Sequence, residues 1–134
     1  MPFLTTRFED VATALKRCAD GVPCLLAAVE LLIGHRFWLQ REDFLERFVE
    51  LDVDEATGRT LGWVDWTGAV AGLTSRRLVC SDGQRQVLAI AASLAEGVPV
   101  DLRDAVCGLD GPTIALLVDV VAVASGHRQG QPSW

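Results

Sequence analysis

The sequence predicts an all-α fold, a compact bundle of six or seven short helices with αα-corner connections. Two segments, 24–33 and 114–125, are apolar on nearly every side, which is typical of helices buried in a core. Both are too short to cross a bilayer, which needs about 20 apolar residues. Elsewhere apolar residues recur at helical spacing, and glycine and proline punctuate the segments between them. These observations favour helices connected by short turns.

Length and composition predict a single domain. The chain has 134 residues, half of them hydrophobic, which is enough to bury one core and too little for two ordinary ones. We assign residues 1–128 to this helical domain and residues 129–134 to a flexible C-terminal tail. The lack of Asn and Tyr, with far more Arg than Lys, is typical of a GC-rich genome. The N-terminus lacks the basic and apolar regions of a secretory signal, so we expect a cytoplasmic protein with free thiols.

The first two helices are predicted from their end signals. Thr6 and Glu9 have the spacing of a capping box, which would begin the first helix. Pro23 opens the second helix, because the N–H groups of a first turn are unpaired in any case. A Gly-His-Arg sequence follows at 34–36, and the same sequence follows the last helix at 126–128. We interpret both as glycine-terminated helix ends with cations near the last carbonyls, and not as anion sites.

A third helix is predicted over 41–51, with an apolar stripe that includes Phe44 and Phe48 and an acidic outer face. Segment 52–66 has no sustained period apart from a short candidate strand that begins at Thr60. We therefore expect a loop there, and the position where the domain bends most easily.

The second half of the chain carries a start signal before each predicted helix. We expect Gly68 and Gly72, which share a face of the fourth helix, to let another backbone come close. The start signals are Asp65 before helix 66–73, a capping box of Ser81 and Gln84 before helix 82–96, Asp101 before a short helix to Cys107, and Asp110 with Pro112 before the last helix.

Each of the two apolar segments contains one carboxylate, Glu30 or Asp119. Facing each other in a dry core, the two groups would form an acid–base pair with a raised pKa. Small residues surround both on the helix surface, for example Ala115 and Ala122 beside Asp119. We expect a narrow strip that reaches water, because burying an unpaired carboxylate costs several kcal/mol.

Signatures of metal binding, cofactor binding and catalysis are absent from the sequence. The spacing of Cys18, Cys24 and His35 lacks the short chelating pairs of structural zinc sites. The segment from Asp52 departs from the calcium-loop pattern where this loop needs glycine and glutamate. There is no nucleophile, Walker or dinucleotide-binding motif. We expect no metal, no cofactor and no catalytic activity.

The predicted interaction surface is acidic and aromatic. The formal net charge is −6, and between residues 42 and 55 a run of carboxylates is opposed only by Arg47. Large aromatic rings beside charged side chains are typical of interface anchors. The residues expected to contact a partner are Trp38, Glu42, Glu46, Glu50, Trp63 and Trp66, with Trp38 and Trp63 as the exposed anchors. The leading hypothesis is a small regulatory interaction module, homodimeric and without a membrane role, that uses helix 41–51 and loop 52–66 to bind a partner protein with a basic surface.

Two other function classes stay open. A helix-turn-helix-like regulator would use helices 66–73 and 82–96, with Arg76, Arg77 and Arg85 contacting nucleic acid. The overall negative charge repels phosphate backbones, so nucleic acid is the weaker hypothesis. A small-ligand binder or enzyme would use the apolar interior of the bundle.

Overall fold

The computed structural model describes residues 2–127, and side chains from residue 8 onward. Within that range the chain is mostly helical, with seven α-helices, one 3₁₀ turn and one small two-stranded sheet. The helices are α1 (Pro2–Ala19), α2 (Pro23–His35), α3 (Glu42–Phe48), α4 (Trp66–Thr74), α5 (Asp82–Glu96), α6 (Leu102–Cys107) and α7 (Gly111–Ala124). The strands are β1 (Val49–Val53) and β2 (Thr60–Val64), and the 3₁₀ turn is Trp38–Gln40. The predicted boundary at 128–129 lies outside the described residues.

The hairpin corrects two predictions, helix 41–51 and loop 52–66. The helix ends at Phe48, and Val49 adopts an extended conformation with φ −121° and ψ 125°. The reason is visible in the sequence Val-Glu-Leu-Asp-Val at 49–53, which alternates with the period of two that suits a strand. The strands are antiparallel, with Val49 opposite Val64 and Val53 opposite Thr60. The candidate strand from Thr60 is therefore confirmed.

Side-chain caps begin four helices where the sequence predicts them. Each cap satisfies a backbone N–H group that the first turn leaves without a helical partner. The backbone of α1 is helical from Pro2, so the predicted start at Thr6 is wrong. The confirmed caps are Asp65 on α4, the reciprocal box of Ser81 and Gln84 on α5, Asp101 on α6 and Asp110 on α7.

The two Gly-His-Arg corners differ in structure. The second has the predicted glycine end, because Gly126 has φ +82° and the His127 N–H donates to the Ala122 carbonyl oxygen at 3.1 Å. Its arginine, Arg128, lies outside the described residues. The first is wrong, since α2 continues through Gly34 and the left-handed residue is Arg36, with φ 68°. A Cβ atom on Gly34 would lie 2.7 Å from a methyl group of Leu116. Gly34 therefore permits close packing of α7 on α2 instead of ending the helix.

Helix α2 lies at the centre of the core and packs against α1, α5 and α7. Its sequence copy, α7, is less buried: Val118 and Val121 are 64% and 50% exposed. Asp119 is exposed as well, which confirms the predicted wet edge on this helix, whereas Glu30 of α2 is half-buried. The same apolar pattern thus gives a central helix in one place and a partly covered outer helix in the other.

Helix α1 supports the hairpin through close contact at a glycine. A Cβ atom on Gly62 would lie 3.0 Å from Leu51 Cδ2 and 3.1 Å from Ala14 Cβ, so the strand can approach α1 only without a side chain there. Gly72 leaves room for another residue in the same way, because a Cβ atom there would lie 3.1 Å from Phe48 Cζ. Gly68 does not, since a Cβ there would meet only the cap residue Asp65. The nearest atoms at both glycines belong to side chains, so the prediction that another backbone comes close at Gly68 and Gly72 is wrong.

Candidate functional site

The outer face of the hairpin brings together an exposed indole and two exposed carboxylates. Trp63 is 45% exposed and lies directly opposite Glu50, while Asp52 lies opposite Leu61. Because side chains alternate across a sheet, these four residues share one face. The other face, which includes Gly62, packs toward α1. The register thus separates an acidic, aromatic face from a supporting face.

The turn of the hairpin is held by its own side chains. The Asp54 carboxylate accepts hydrogen bonds from the Ala56 N–H and the Thr57 hydroxyl, both at 3.1 Å. The Asp54 N–H in turn donates to the Arg59 carbonyl oxygen at 2.8 Å. On the opposite side, an Arg17 guanidinium N–H donates to the Thr60 carbonyl oxygen. These contacts order the segment that the sequence suggested as a bending point.

Beside Trp63 is a pocket of about 110 Å³ between α1, α2, β2 and the start of α4. Its inner wall is apolar and almost fully buried, with Leu15 and Val29 each 2% exposed. Trp66 forms part of the wall, and the exposed residue Glu96 stands at the mouth. The Thr67 hydroxyl donates to the Glu96 carboxylate at 3.3 Å. The pocket therefore combines an apolar interior with an acidic rim.

Trp38 is a core residue, and the prediction that it is an exposed anchor is wrong. It is fully buried, and its Nε1–H donates to the Gln84 carbonyl oxygen at 2.9 Å. Its ring packs against Phe37 and Phe44, with centroids 4.9 Å and 5.3 Å away. Trp66 is also buried, at 2% exposure, and meets the surface only as a wall of the pocket. Of the three predicted tryptophans, Trp63 is the one that solvent reaches.

The predicted acidic residues are all exposed but do not all lie on one element. Glu42 and Glu46 are on α3, whereas Glu50 is on β1 beside Trp63. Asp52, which was not among the predicted site residues, lies on the same sheet face as Glu50. The alternation of residues 49–53 is the signal that would have identified it. The structure thus shifts the centre of the acidic face from the helix to the hairpin.

A neighbouring carboxylate already has a cationic partner. Arg41 forms a two-pronged contact with Asp43, with N–O distances of 2.7 Å and 2.9 Å. The Arg41 hydrogen bonds hold the pKa of Asp43 below its ordinary value. Among the described residues, no lysine or arginine side-chain nitrogen comes within 4.0 Å of the Glu50 or Asp52 carboxylate. Within the part of the chain that the structure describes, the hairpin carboxylates therefore differ from Asp43 in facing solvent with no cationic side chain within 4.0 Å.

The three predicted arginines are exposed, and the connector between α4 and α5 is longer than that of a helix-turn-helix. Arg76 and Arg77 lie in the connector between α4 and α5, and Arg85 lies on the first turns of α5. That connector covers 75–81, longer than the turn of about three or four residues in a helix-turn-helix. Arg76 adopts φ 64°, and Arg77 shares a shallow surface depression with Arg47. We refer to these three exposed arginines as the basic area.

The remaining reactive groups are dispersed over the fold. Burial raises the pKa of the Cys80 thiol, with nearby Arg85 acting in the opposite sense. Burial lowers the pKa of His35, and Asp110 partly opposes this shift. All four cysteines are free thiols. In the described part of the chain, no group of three or more histidine, cysteine, aspartate or glutamate side chains is placed to hold a metal ion.

Comparison with known proteins adds no relative. The chain matches no protein-family model, no curated protein and no solved structure. Within residues 2–127, no helix is both long enough and apolar enough to cross a bilayer.

Proposed function

We propose that the protein is a small, non-catalytic, cytoplasmic interaction module that binds a basic segment of a partner protein on the outer face of the hairpin. The observation that carries the proposal is the cross-strand pair of Glu50 and Trp63, an exposed indole beside a carboxylate on a strand pair held from behind by α1. Exposed tryptophan is enriched among the residues that supply binding energy at interfaces. The carboxylates select the charge of the partner.

The two kinds of side chain contribute differently. The Trp63 ring is rigid and large, so covering it removes apolar surface from water with little loss of side-chain freedom. Glu50 and Asp52 lie at the rim, where charge mainly accelerates encounter and discriminates between partners. A partner segment with lysine or arginine beside an apolar residue satisfies both requirements. Binding is then weakened by salt, because exposed charges are screened.

A display selection of peptides of about twelve residues, with the full chain as bait, tests the proposal. We expect the recovered peptides to be enriched in lysine and arginine. The double variant Glu50→Lys with Asp52→Lys should lose them, since it reverses the charge of the face. The matched control is Glu9→Lys with Asp10→Lys on α1, which changes net charge equally at two other exposed carboxylates. Peptides without basic enrichment, or equal loss in both double variants, would contradict the proposal.

One observation favours a second candidate, binding of nucleic acid by the basic area. Arg76, Arg77 and Arg85 are all exposed, and Arg47 adds a fourth cation near Arg77. Four arginines can neutralise a few phosphates, but such contacts weaken steeply with salt. A gel-shift titration with random duplex at low salt tests this function. A shift that disappears in Arg76→Ala with Arg77→Ala would support it, and no shift would exclude it.

A further inference from the structure

The pocket beside Trp63 has the size of one aliphatic side chain. Its volume is about 110 Å³. An apolar cavity of roughly 150 Å³ holds a benzene molecule, so a leucine or isoleucine side chain fits the smaller space. The pocket opens to solvent, and Trp63 forms part of its wall. A side chain can therefore enter from solvent beside Trp63 without a rearrangement of the core.

The polarity of the pocket indicates how an occupant is oriented. Leu15 and Val29, the buried parts of the wall, offer no partner for a charge. The exposed residue Glu96 lies at the mouth, and its carboxylate accepts a hydrogen bond from the Thr67 hydroxyl. Burying a cation against the inner wall would be costly, whereas a cation at the mouth meets opposite charge. The fitting occupant is apolar inside and cationic at the surface.

Trp63 connects this pocket with the acidic face. Trp63 also lines a shallow depression formed with Glu50, Leu51 and Asp52. A segment that covers Trp63 and both depressions thus meets carboxylates in each, Glu96 in the pocket and Glu50 with Asp52 in the shallow depression. The two depressions meet at Trp63 and both contain carboxylates. A partner segment with basic residues can occupy both, whereas an isolated apolar molecule would leave the carboxylates without a partner.

We propose that the pocket is the specificity pocket of this face, an inference that rests on the proposed function. It receives a leucine or isoleucine side chain of the partner segment, and basic residues on both sides of that side chain meet Glu96 and the hairpin carboxylates. The recognition pattern is then basic, aliphatic, basic. The pocket supplies selectivity for the aliphatic residue, and the rim supplies selectivity for charge.

The test uses three blocked tripeptides titrated into the ¹⁵N-labelled full chain: Lys-Leu-Lys, Lys-Ala-Lys and Glu-Leu-Glu. The indole N–H signals of Trp63 and Trp66 report on the pocket, and that of buried Trp38 is the internal reference. We expect Lys-Leu-Lys to give saturable shifts at the first two signals. Lys-Ala-Lys should bind about tenfold more weakly because it leaves the pocket unfilled. Glu-Leu-Glu should give no saturable shift.

Two variants separate the pocket from the rim. Glu96→Gln, at an exposed position, should weaken Lys-Leu-Lys about two- to fivefold, as expected for one exposed ion pair. Cys18→Leu, which fills the pocket from α1, should abolish the preference for Leu over Ala. If Cys18→Leu does not fold, the comparison of tripeptides and the Glu96→Gln variant still decide the matter.

Each failure has its own signature. Equal binding of Lys-Leu-Lys and Lys-Ala-Lys would overturn the specificity pocket while leaving the basic-partner function in place. Tighter binding of n-pentylammonium than of Lys-Leu-Lys would also overturn it, because the pocket would then be a site for a free small ligand. The proposed function itself fails if the display selection recovers no basic peptides.

Discussion

Replacing Trp38 by Phe tests the assignment of this tryptophan to the core. The substitution keeps an aromatic ring between Phe37 and Phe44, whose centroids lie 4.9 Å and 5.3 Å from that of Trp38. It removes the Nε1–H that donates to the Gln84 carbonyl oxygen at 2.9 Å. It also leaves space in a region where Trp38 is fully buried. We expect loss of stability without loss of binding on the hairpin face.

The expected magnitude follows from these two losses. The hydrogen bond contributes about 0.5–1.5 kcal/mol to the free energy of unfolding. The smaller ring leaves on the order of 40 Å³ unfilled, which costs about 1 kcal/mol at roughly 24 cal/mol per Å³. The sum is about 1.5–2.5 kcal/mol. With an unfolding entropy of about 2.1 cal/mol/K per residue, this lowers Tm by about 5–9 °C for a chain of this length.

The assay is urea unfolding followed by circular dichroism, and the matched control is Trp63→Phe. Trp63 is 45% exposed, so the same change there should alter stability by less than about 0.5 kcal/mol. The affinity for basic peptides should change in the opposite way: Trp63→Phe should bind them more weakly, and Trp38→Phe should bind them as the unsubstituted protein does. Equal stability losses at the two positions would refute the assignment, as would loss of peptide binding in a folded Trp38→Phe protein.

Three further predictions concern the support of the hairpin, pH and thiol reactivity. Gly62→Ala should destabilise the fold by about 1–3 kcal/mol in urea unfolding, because its Cβ would crowd Leu51 and Ala14. Gly83→Ala should not, because the nearest atom to a Cβ there is 3.8 Å away. Equal effects of the two substitutions would contradict the close approach of Gly62 to α1. Partial burial lowers the pKa of His35, so the unfolded chain takes up the proton first as pH falls. Urea midpoints should therefore decrease below about pH 6.5, and His35→Gln should flatten that slope. An unchanged slope in His35→Gln would argue against this desolvation of His35. Burial raises the pKa of Cys80, so iodoacetamide should alkylate this thiol more slowly than the exposed Cys24 and Cys107, as measured by mass spectrometry. A faster alkylation rate at Cys80 would be inconsistent with this environment.

The hairpin shows why prediction from local pattern failed where it did. Residues 49–53 alternate apolar and acidic side chains, but they directly follow the apolar stripe of α3. The local pattern predicts that α3 continues past Phe48, because Val49 continues the helical spacing of Phe44, Leu45 and Phe48. A strand needs a partner, and the partner begins at Thr60, beyond the six-residue turn 54–59, in which no helical or strand period dominates. Pairing across that span is a non-local choice.

The tryptophans illustrate the limit for the candidate site. Composition identifies Trp38, Trp63 and Trp66 as large aromatic residues near an acidic run, but it does not indicate which face each occupies. Trp38 has a carbonyl partner on α5, far away in sequence, and that contact makes its burial favourable. Trp63 alternates outward on β2 because Gly62 and Val64 pack inward. The exposed anchor is therefore decided by strand register.

By itself the sequence determined the features that depend on neighbours along the chain. The caps at Asp65, Ser81, Asp101 and Asp110, and the left-handed Gly126, follow from hydrogen bonds and backbone freedom within a few residues. Only the tertiary structure decided which apolar helix is central, where the hairpin pairs, and which tryptophan meets solvent. Those outcomes depend on contacts between distant segments, such as Gly34 with Leu116 and Gly62 with Ala14, whose free energy no local pattern specifies.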